Sequence, residues 1–160
     1  MMLDEALAEH LMAAVRESIS RAAAAKRAAE MIREARGYRW AGVYEVTPKE
    51  VVALAWTGSE PPGFTRFPVT QGITGASVAT RAAVNVGDVR KDPRYLSAFG
   101  STRSELIVPV LDRGGRVVGT LDVESERENA FGEEDVTFLR SCGEAILPLF
   151  AQSAQVQAAG

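Results

Sequence analysis

An α+β fold, one antiparallel sheet with helices packed on one face, is what this sequence predicts. Three observations carry the prediction. Long helical segments stand at both ends of the chain and bracket a run of strands. Consecutive strands are joined by short turn signals, TPK after residue 46 and DRGG after residue 111, which makes neighbours antiparallel. In the last strand every second residue is apolar or small, so one face of the sheet is built to be covered.

The elements follow in order. Residues 3–36 are rich in Ala, Glu and Arg, with no Pro or Gly before Gly37, and read as helix closed by a glycine C-cap. Leu7, Leu11, Ala14 and Ile19 fall near one face, Ile32 and Ala35 extend the stripe, and Ser18 and Ser20 mark a place where the helix can break in two. RWAGVYEV (39–46) and EVVALAWTG (50–58) are strands. PPGFTRFPVTQG (61–72) is loop with room for one short edge strand. ITGASVATR (73–81) is a short helix for which Thr74 is a candidate N-cap. AVNVGDV (83–89) is a short strand, in which Asp88 reads as a turn or cap residue, and 90–102 is a loop that can hold one helical turn. Strands at 104–111 and 116–124 precede a final helix, 131–150, with acids in its first turn as the helix dipole prefers.

Composition narrows the function classes. The chain has 160 residues, 46% of them hydrophobic, and a formal net charge of -3 with no basic tract. No nucleic-acid surface is expected. No apolar run approaches the roughly 20 residues of a membrane span, and the charged N-terminus has no signal-peptide core, so a cytoplasmic protein is expected. The single cysteine, Cys142, excludes an internal disulfide, and the single histidine, His10, excludes a multi-histidine metal site within one chain.

The strands also carry acids where core is expected. On the last strand Val118, Thr120, Asp122 and Glu124 share one face, opposite Val117, Gly119, Leu121 and Val123. On the preceding strand Glu105, Ile107, Pro109 and Leu111 oppose Leu106, Val108 and Val110. A two-residue loop at Gly114-Gly115 sets Glu105 opposite Glu124 and Ile107 opposite Asp122; a four-residue loop sets Glu105 opposite Asp122. Either register gathers the three acids on one face, where solvent, a cation or a shared proton must offset their repulsion. On the first strand Trp40, Gly42, Tyr44 and Val46 share a face. The two aromatics either pack as core or wall a pocket, with Gly42 leaving room for a ligand.

The ordered set WAGVYEV, PVTQGITGASVATR, VGDV, SELIVPVLDRGGRVVGTLDVES and FGEEDVTFL resembles a GAF domain over roughly residues 20–150. The resemblance implies a six-stranded antiparallel sheet with N- and C-terminal helices on one face and a small-ligand pocket on the other. Residues 1–160 then form a single GAF domain, with an N-terminal helical segment 3–36, a sheet core 38–125 and a C-terminal helix 131–150. It is closer still to the free methionine-(R)-sulfoxide reductases. The matching motifs are Trp40-Ala41-Gly42-Val43-Tyr44, Thr65-Arg66-Phe67-Pro68, Gly72-Ile73-Thr74-Gly75, Ser101-Thr102-Arg103-Ser104 running into Glu105, and Leu121 to Ser125, the serine–arginine spacing being one residue shorter here. In that subgroup the residues matching Trp40, Tyr44, Glu105, Asp122 and Glu124 surround a free amino acid. Acids suit its ammonium and aromatic faces suit a cation or thioether.

The subgroup reduces its substrate with thiols, and its cysteines fall at Phe64, Thr74 and Ala98 of this chain. The expected protein is therefore a non-catalytic, small-molecule-binding sensor or regulatory domain with ligand residues Trp40, Tyr44, Thr74, Glu105, Asp122 and Glu124. The backbone N–H groups at Gly72-Ile73-Thr74-Gly75 can receive a ligand carboxylate. No cofactor and no metal are expected: the acid spacing is not that of a calcium loop, and no pocket cysteine is present to attach a bilin. The acids also disfavour a cyclic nucleotide. The alternatives are a reductase-type enzyme and a dimerisation module with a vestigial pocket. A homodimer through the terminal helices is expected, with the small residues of the Ala22–Ala29 region allowing close approach.

Overall fold

The computed structural model describes residues 4–96 and 100–150. Ala98, one of the subgroup's cysteine positions, and residues 151–160 lie outside the described residues. The N-terminal helical segment is two helices, α1 (Glu5–Glu17) and α2 (Arg21–Arg36), separated at the serine pair. Each has its own start. Asp4 accepts from the Leu7 N–H at 2.7 Å, and the Ser20 hydroxyl accepts from the Ala23 N–H at 3.1 Å. Gly37 closes α2 with φ 65°, the left-handed conformation of a helix C-cap.

Six strands follow: β1 (Trp40–Val46), β2 (Glu50–Thr57), β3 (Arg66–Pro68), β4 (Val84–Val86), β5 (Ser104–Leu111) and β6 (Val117–Ser125). They form one antiparallel sheet in the order β3-β2-β1-β6-β5-β4, so the two ends of the sheet-forming chain, β1 and β6, meet at its centre. Helix α3 (Gly72–Thr80) crosses between β3 and β4, and α4 (Glu133–Ala145) follows β6. The final helical stretch is interrupted at Ile146, two residues before Pro148, which has no N–H to continue the ladder.

Helices α1, α2 and α4 cover one face. Leu11, Ala24, Ala25, Ala28, Ala29 and Ile32 from the first pair, and Val136, Phe138, Leu139 and Cys142 from α4, bury against Ala41, Val43, Leu106, Val108, Leu121 and Val123. The β5 and β6 residues in this set are the apolar alternates that the sequence assigns to the covered side. Four of the alanines from Ala22 to Ala29 are therefore consumed inside the chain, where they let α2 approach its own sheet. Ile19 does not extend the apolar stripe: it lies in the break between α1 and α2 and is 99% exposed. Ala35 is exposed as well. Among the described residues no helix is long and apolar enough to cross a membrane.

The helix layer is tied to the start of β1 by one carboxylate. Asp135 Oδ1 accepts from the Tyr38 hydroxyl at 2.6 Å and from Arg36 Nε at 2.9 Å, and Oδ2 accepts from the Gly132 N–H at 2.9 Å. Burial pushes the Tyr38 phenol up, and Asp135 beside it adds to the shift. The end of α2, the first turn of α4 and the residue two before Trp40 thus share one anchor. Asp135→Ala is expected to cost about 3 kcal/mol, since it removes three charge-assisted bonds and leaves Arg36 and Tyr38 without that acceptor. Urea unfolding of the variant against wild type measures it.

Candidate functional site

The uncovered face of the sheet holds the acids. In β5–β6 pairing Glu105 lies opposite Glu124, Ile107 opposite Asp122 and Ser104 opposite Ser125. This is the register expected from a two-residue loop, yet the loop is longer. Leu111 pairs with Val117, and the extra residue is absorbed by a bulge between Val110 and Leu111. Asp112 organises the turn by accepting from the N–H groups of Gly114 and Arg116, each at 2.9 Å. Across β1, Trp40 lies opposite Glu124 and Gly42 opposite Asp122. Trp40, Glu124 and Glu105 therefore stand in one row across three strands.

One cavity collects every candidate. Trp40, Tyr44, Thr74, Glu105, Asp122 and Glu124 line it together with Phe64, Phe67, Leu96 and the first residues of α3, Gly72 and Ile73. Its free space is about 40 Å³, room for only a few waters. A wider groove of about 760 Å³ opens elsewhere, among Val46, Val78, Arg81, Arg116, Val118 and Phe150, and holds none of the candidates.

Two expectations about this wall change. Gly42 does not leave ligand space: a Cβ there would stand 2.5 Å from Trp40 Cη2 and 2.8 Å from Tyr44 Cε2, so the two rings themselves fill the room over it. Gly58 does the same on the other side of the indole, with Trp40 Cδ1 2.6 Å from a Cβ position, and Trp40 Nε1 donates to the Glu60 carbonyl at 2.9 Å. The second change concerns Thr74, which is not the N-cap of α3. Gln71 holds that position without a side-chain bond, and Thr74, 6% exposed, sits inside the first turn and faces the cavity. The α3 N-terminus is thus left without a side-chain cap where it meets the acids.

The electrostatics are unbalanced. Glu105 and Asp122 are each 6% exposed and Glu124 2%. Among the described residues no Lys or Arg lines the cavity. Two unit charges about 5 Å apart repel by roughly 3 kcal/mol at an effective dielectric constant of about 20. Burial pushes the Glu105 carboxyl up to about 7, while its hydrogen bond with Asp122 works the other way. Burial holds Asp122 well above the usual carboxylate range, and the charges of Glu105 and Glu124 push it further. For Glu124 burial and Glu105 raise the carboxyl to about 9, against a Tyr95 hydroxyl that donates to Oε1 at 3.4 Å and the charge of Arg39. Asp122 Oδ1 has no hydrogen-bond partner among the described residues. Burial also holds the Tyr44 phenol well above its usual range, with the three acids adding to the shift.

The thiol is elsewhere. Cys142 is fully buried in α4, within the core on the helix-covered face, and burial pushes it up to about 12. Of the three positions where the reductase subgroup carries cysteines, Phe64 and Thr74 line the cavity, and Ala98 lies outside the described residues. Phe67 and Leu96 are lining residues that the sequence reading missed; β3 was legible only as a possible edge strand, and a lone Leu in a loop gives no periodic signal.

The GAF domain family matches residues 20–146. A GAF domain-containing protein A of Dictyostelium discoideum is 31% identical over 109 residues, 68% of this chain and 67% of that protein. The free methionine-R-sulfoxide reductase of Saccharomyces cerevisiae is 29% identical over 76 residues, 48% of this chain and 42% of that protein. A crystal structure of the Neisseria meningitidis free methionine-R-sulfoxide reductase in complex with its substrate superposes with a TM-score of 0.80 at 29% identity, covering 98% of this chain and 96% of that one.

The raised carboxyls give stability a definite pH dependence. A carboxyl whose folded value lies above its unfolded value binds more protons when folded, so unfolding becomes easier as pH rises between the two. For Glu105 that window runs from 4.5 to about 7, and for Glu124 from 4.5 to about 9. The ligand-free protein should therefore unfold at lower urea concentration at pH 8 than at pH 5. Glu124→Gln should flatten the difference, and a stability that rises with pH over this range would contradict it.

Proposed function

This chain belongs to the GAF domain family, and from that premise we propose that it is a small-molecule-binding regulatory domain whose cavity takes an amine or zwitterion and performs no chemistry on it. One observation carries the reading: the polar side of the cavity is three buried carboxyls facing the side-chain-uncapped first turn of a helix, with aromatic rings between. Carboxylates recognise an ammonium by charge-assisted hydrogen bonds, each worth about 1.5–3 kcal/mol. Helix N–H groups recognise a carboxylate. A zwitterionic ligand would set its amine at Glu105 and Asp122, its carboxylate at Gly72–Thr74, and its side chain against Trp40 and Tyr44.

A reductase acting on free methionine-R-sulfoxide is the second reading, favoured by the likeness to the Neisseria enzyme. Reduction of a sulfoxide by that route needs a thiolate at the sulfur. The chain's one cysteine is in the core on the opposite face of the sheet, with its thiol held neutral. The binding reading therefore accounts for the residues present.

Titration calorimetry with methionine and with methionine sulfoxide tests it. The expected outcome is saturable binding to wild type, at least about tenfold weaker in Glu105→Gln, equivalent to about 1.4 kcal/mol. Cys142→Ser should bind unchanged. Stoichiometric loss of sulfoxide in the presence of a dithiol reductant, abolished in Cys142→Ser, would replace this reading with the enzymatic one.

A further inference from the structure

Among the described residues no Lys or Arg lines the cavity, and this bears on how a ligand enters. Glu105 and Glu124 are paired directly across β5 and β6, and Asp122 stands two residues from Glu124 on the same face. The groups that face them are few. From β1 comes Tyr44, a neutral phenol; ahead of it Arg39 acts on Glu124 from outside the lining, where it ion-pairs with Glu126 and donates to Ser101. From the loop after Lys91 come Tyr95, which donates to Glu124, and Asp92, whose charge raises Glu105 and is itself paired with Arg94. Gly72, Ile73 and Thr74 of α3 and the rings of Phe64 and Phe67 contribute no titratable group. Asp122 Oδ1, in a side chain more than nine-tenths buried, lacks a partner among the described residues.

We infer that the ligand-free cavity holds at least one proton among Glu105, Asp122 and Glu124 at neutral pH, and that a cationic ligand enters in exchange for it. The inference rests on the receptor reading above for the ligand's class and adds its regulation. The exchange balances simply. A carboxyl O–H bond breaks, its proton passes to bulk water, and the ligand's ammonium takes over the neutralisation of the carboxylate. The upward shifts of all three carboxyls agree with this. Affinity for a cation then rises with pH, by up to about tenfold per unit where one full proton is released. Molecules without a cationic group gain nothing from the exchange and are discriminated against.

Two measurements decide it. Infrared spectroscopy of the ligand-free full chain in D₂O at neutral pH should show a protonated-carboxyl carbonyl band that is diminished in Asp122→Asn and in Glu124→Gln. Absence of the band in wild type overturns the inference whether or not any amine binds, and needs no variant to fold. Calorimetry with methionine and with methylamine, each in two buffers of different ionisation enthalpy between pH 5.5 and 8.5, should give net release near one proton per ligand. Binding with no proton release overturns the exchange. Failure of both probes to bind overturns the exchange together with the receptor reading, while the band by itself still decides the stored proton.

Discussion

Three carboxyls buried side by side on paired strands constrain everything around them. Their burial is unfavourable, and the repulsion between them adds roughly 3 kcal/mol for each ionised pair at close range. The fold meets that cost with contacts on both sides of the sheet. On the far side, Val123 and Leu121, the sequence neighbours of Asp122 and Glu124, are in the largest hydrophobic cluster, under α2 and α4. A strand held that firmly from behind cannot turn its acids out to water without lifting its apolar alternates from the core. The Asp135 anchor fixes the same layer at the entry to β1, so the aromatic wall starts from a position set by the helices.

The sheet separates two chemistries. Its helix-covered face is apolar and contains the thiol; its other face contains the acids, the phenol of Tyr44 and the indole of Trp40. Cys142 behaves as a small buried hydrophobe, since its deprotonation is disfavoured and it lies in the core on the face opposite the acids. The relatives include a GAF domain-containing protein and reductases of free methionine-R-sulfoxide. The shared frame is common to binding and to catalysis, so any difference of function lies in the side chains at the cavity. Phe64 adds an aromatic ring to the lining at one of the subgroup's cysteine positions.

Strand alternation made the acid face legible before any coordinates, because a period of two assigns faces without knowledge of neighbours. It placed Glu105, Asp122 and Glu124 together, and set Leu106, Val108, Leu121 and Val123 opposite them. Register was legible only as two alternatives, because the bulge at Val110 that selects one of them has no sequence signature a turn motif can supply. Local pattern misled where tertiary contact decides. Thr74 looks like a cap from its position before a helical run, yet the helix begins two residues earlier, at a glycine with φ 77°, and Thr74 is turned into the cavity. Gly42 looks like ligand space, yet the neighbouring rings take it. The small face of α2 is turned to its own sheet, which a helical pattern alone cannot distinguish from a face offered to a second chain.

The same contacts determine which wall can yield. Free space of about 40 Å³ is less than an amino acid occupies, so a ligand of that size must gain room. It cannot come from the strands. The indole of Trp40 is wedged between Gly42 and Gly58 and bonded to the Glu60 carbonyl, and the Tyr44 ring meets Phe67 edge-on at 6.3 Å between centroids. The loop wall is different. Phe64 lines the cavity while 45% exposed, and Leu96 rests on Gly72, with its Cδ1 2.9 Å from where a Cβ would stand. Displacing these two side chains loses modest apolar contact; moving a strand would break its ladder and lift its alternates from the core. In the proposed receptor, room for a ligand would therefore come from the Phe64 and Leu96 side, and the carboxyls on the rigid side would meet it in the arrangement they already have.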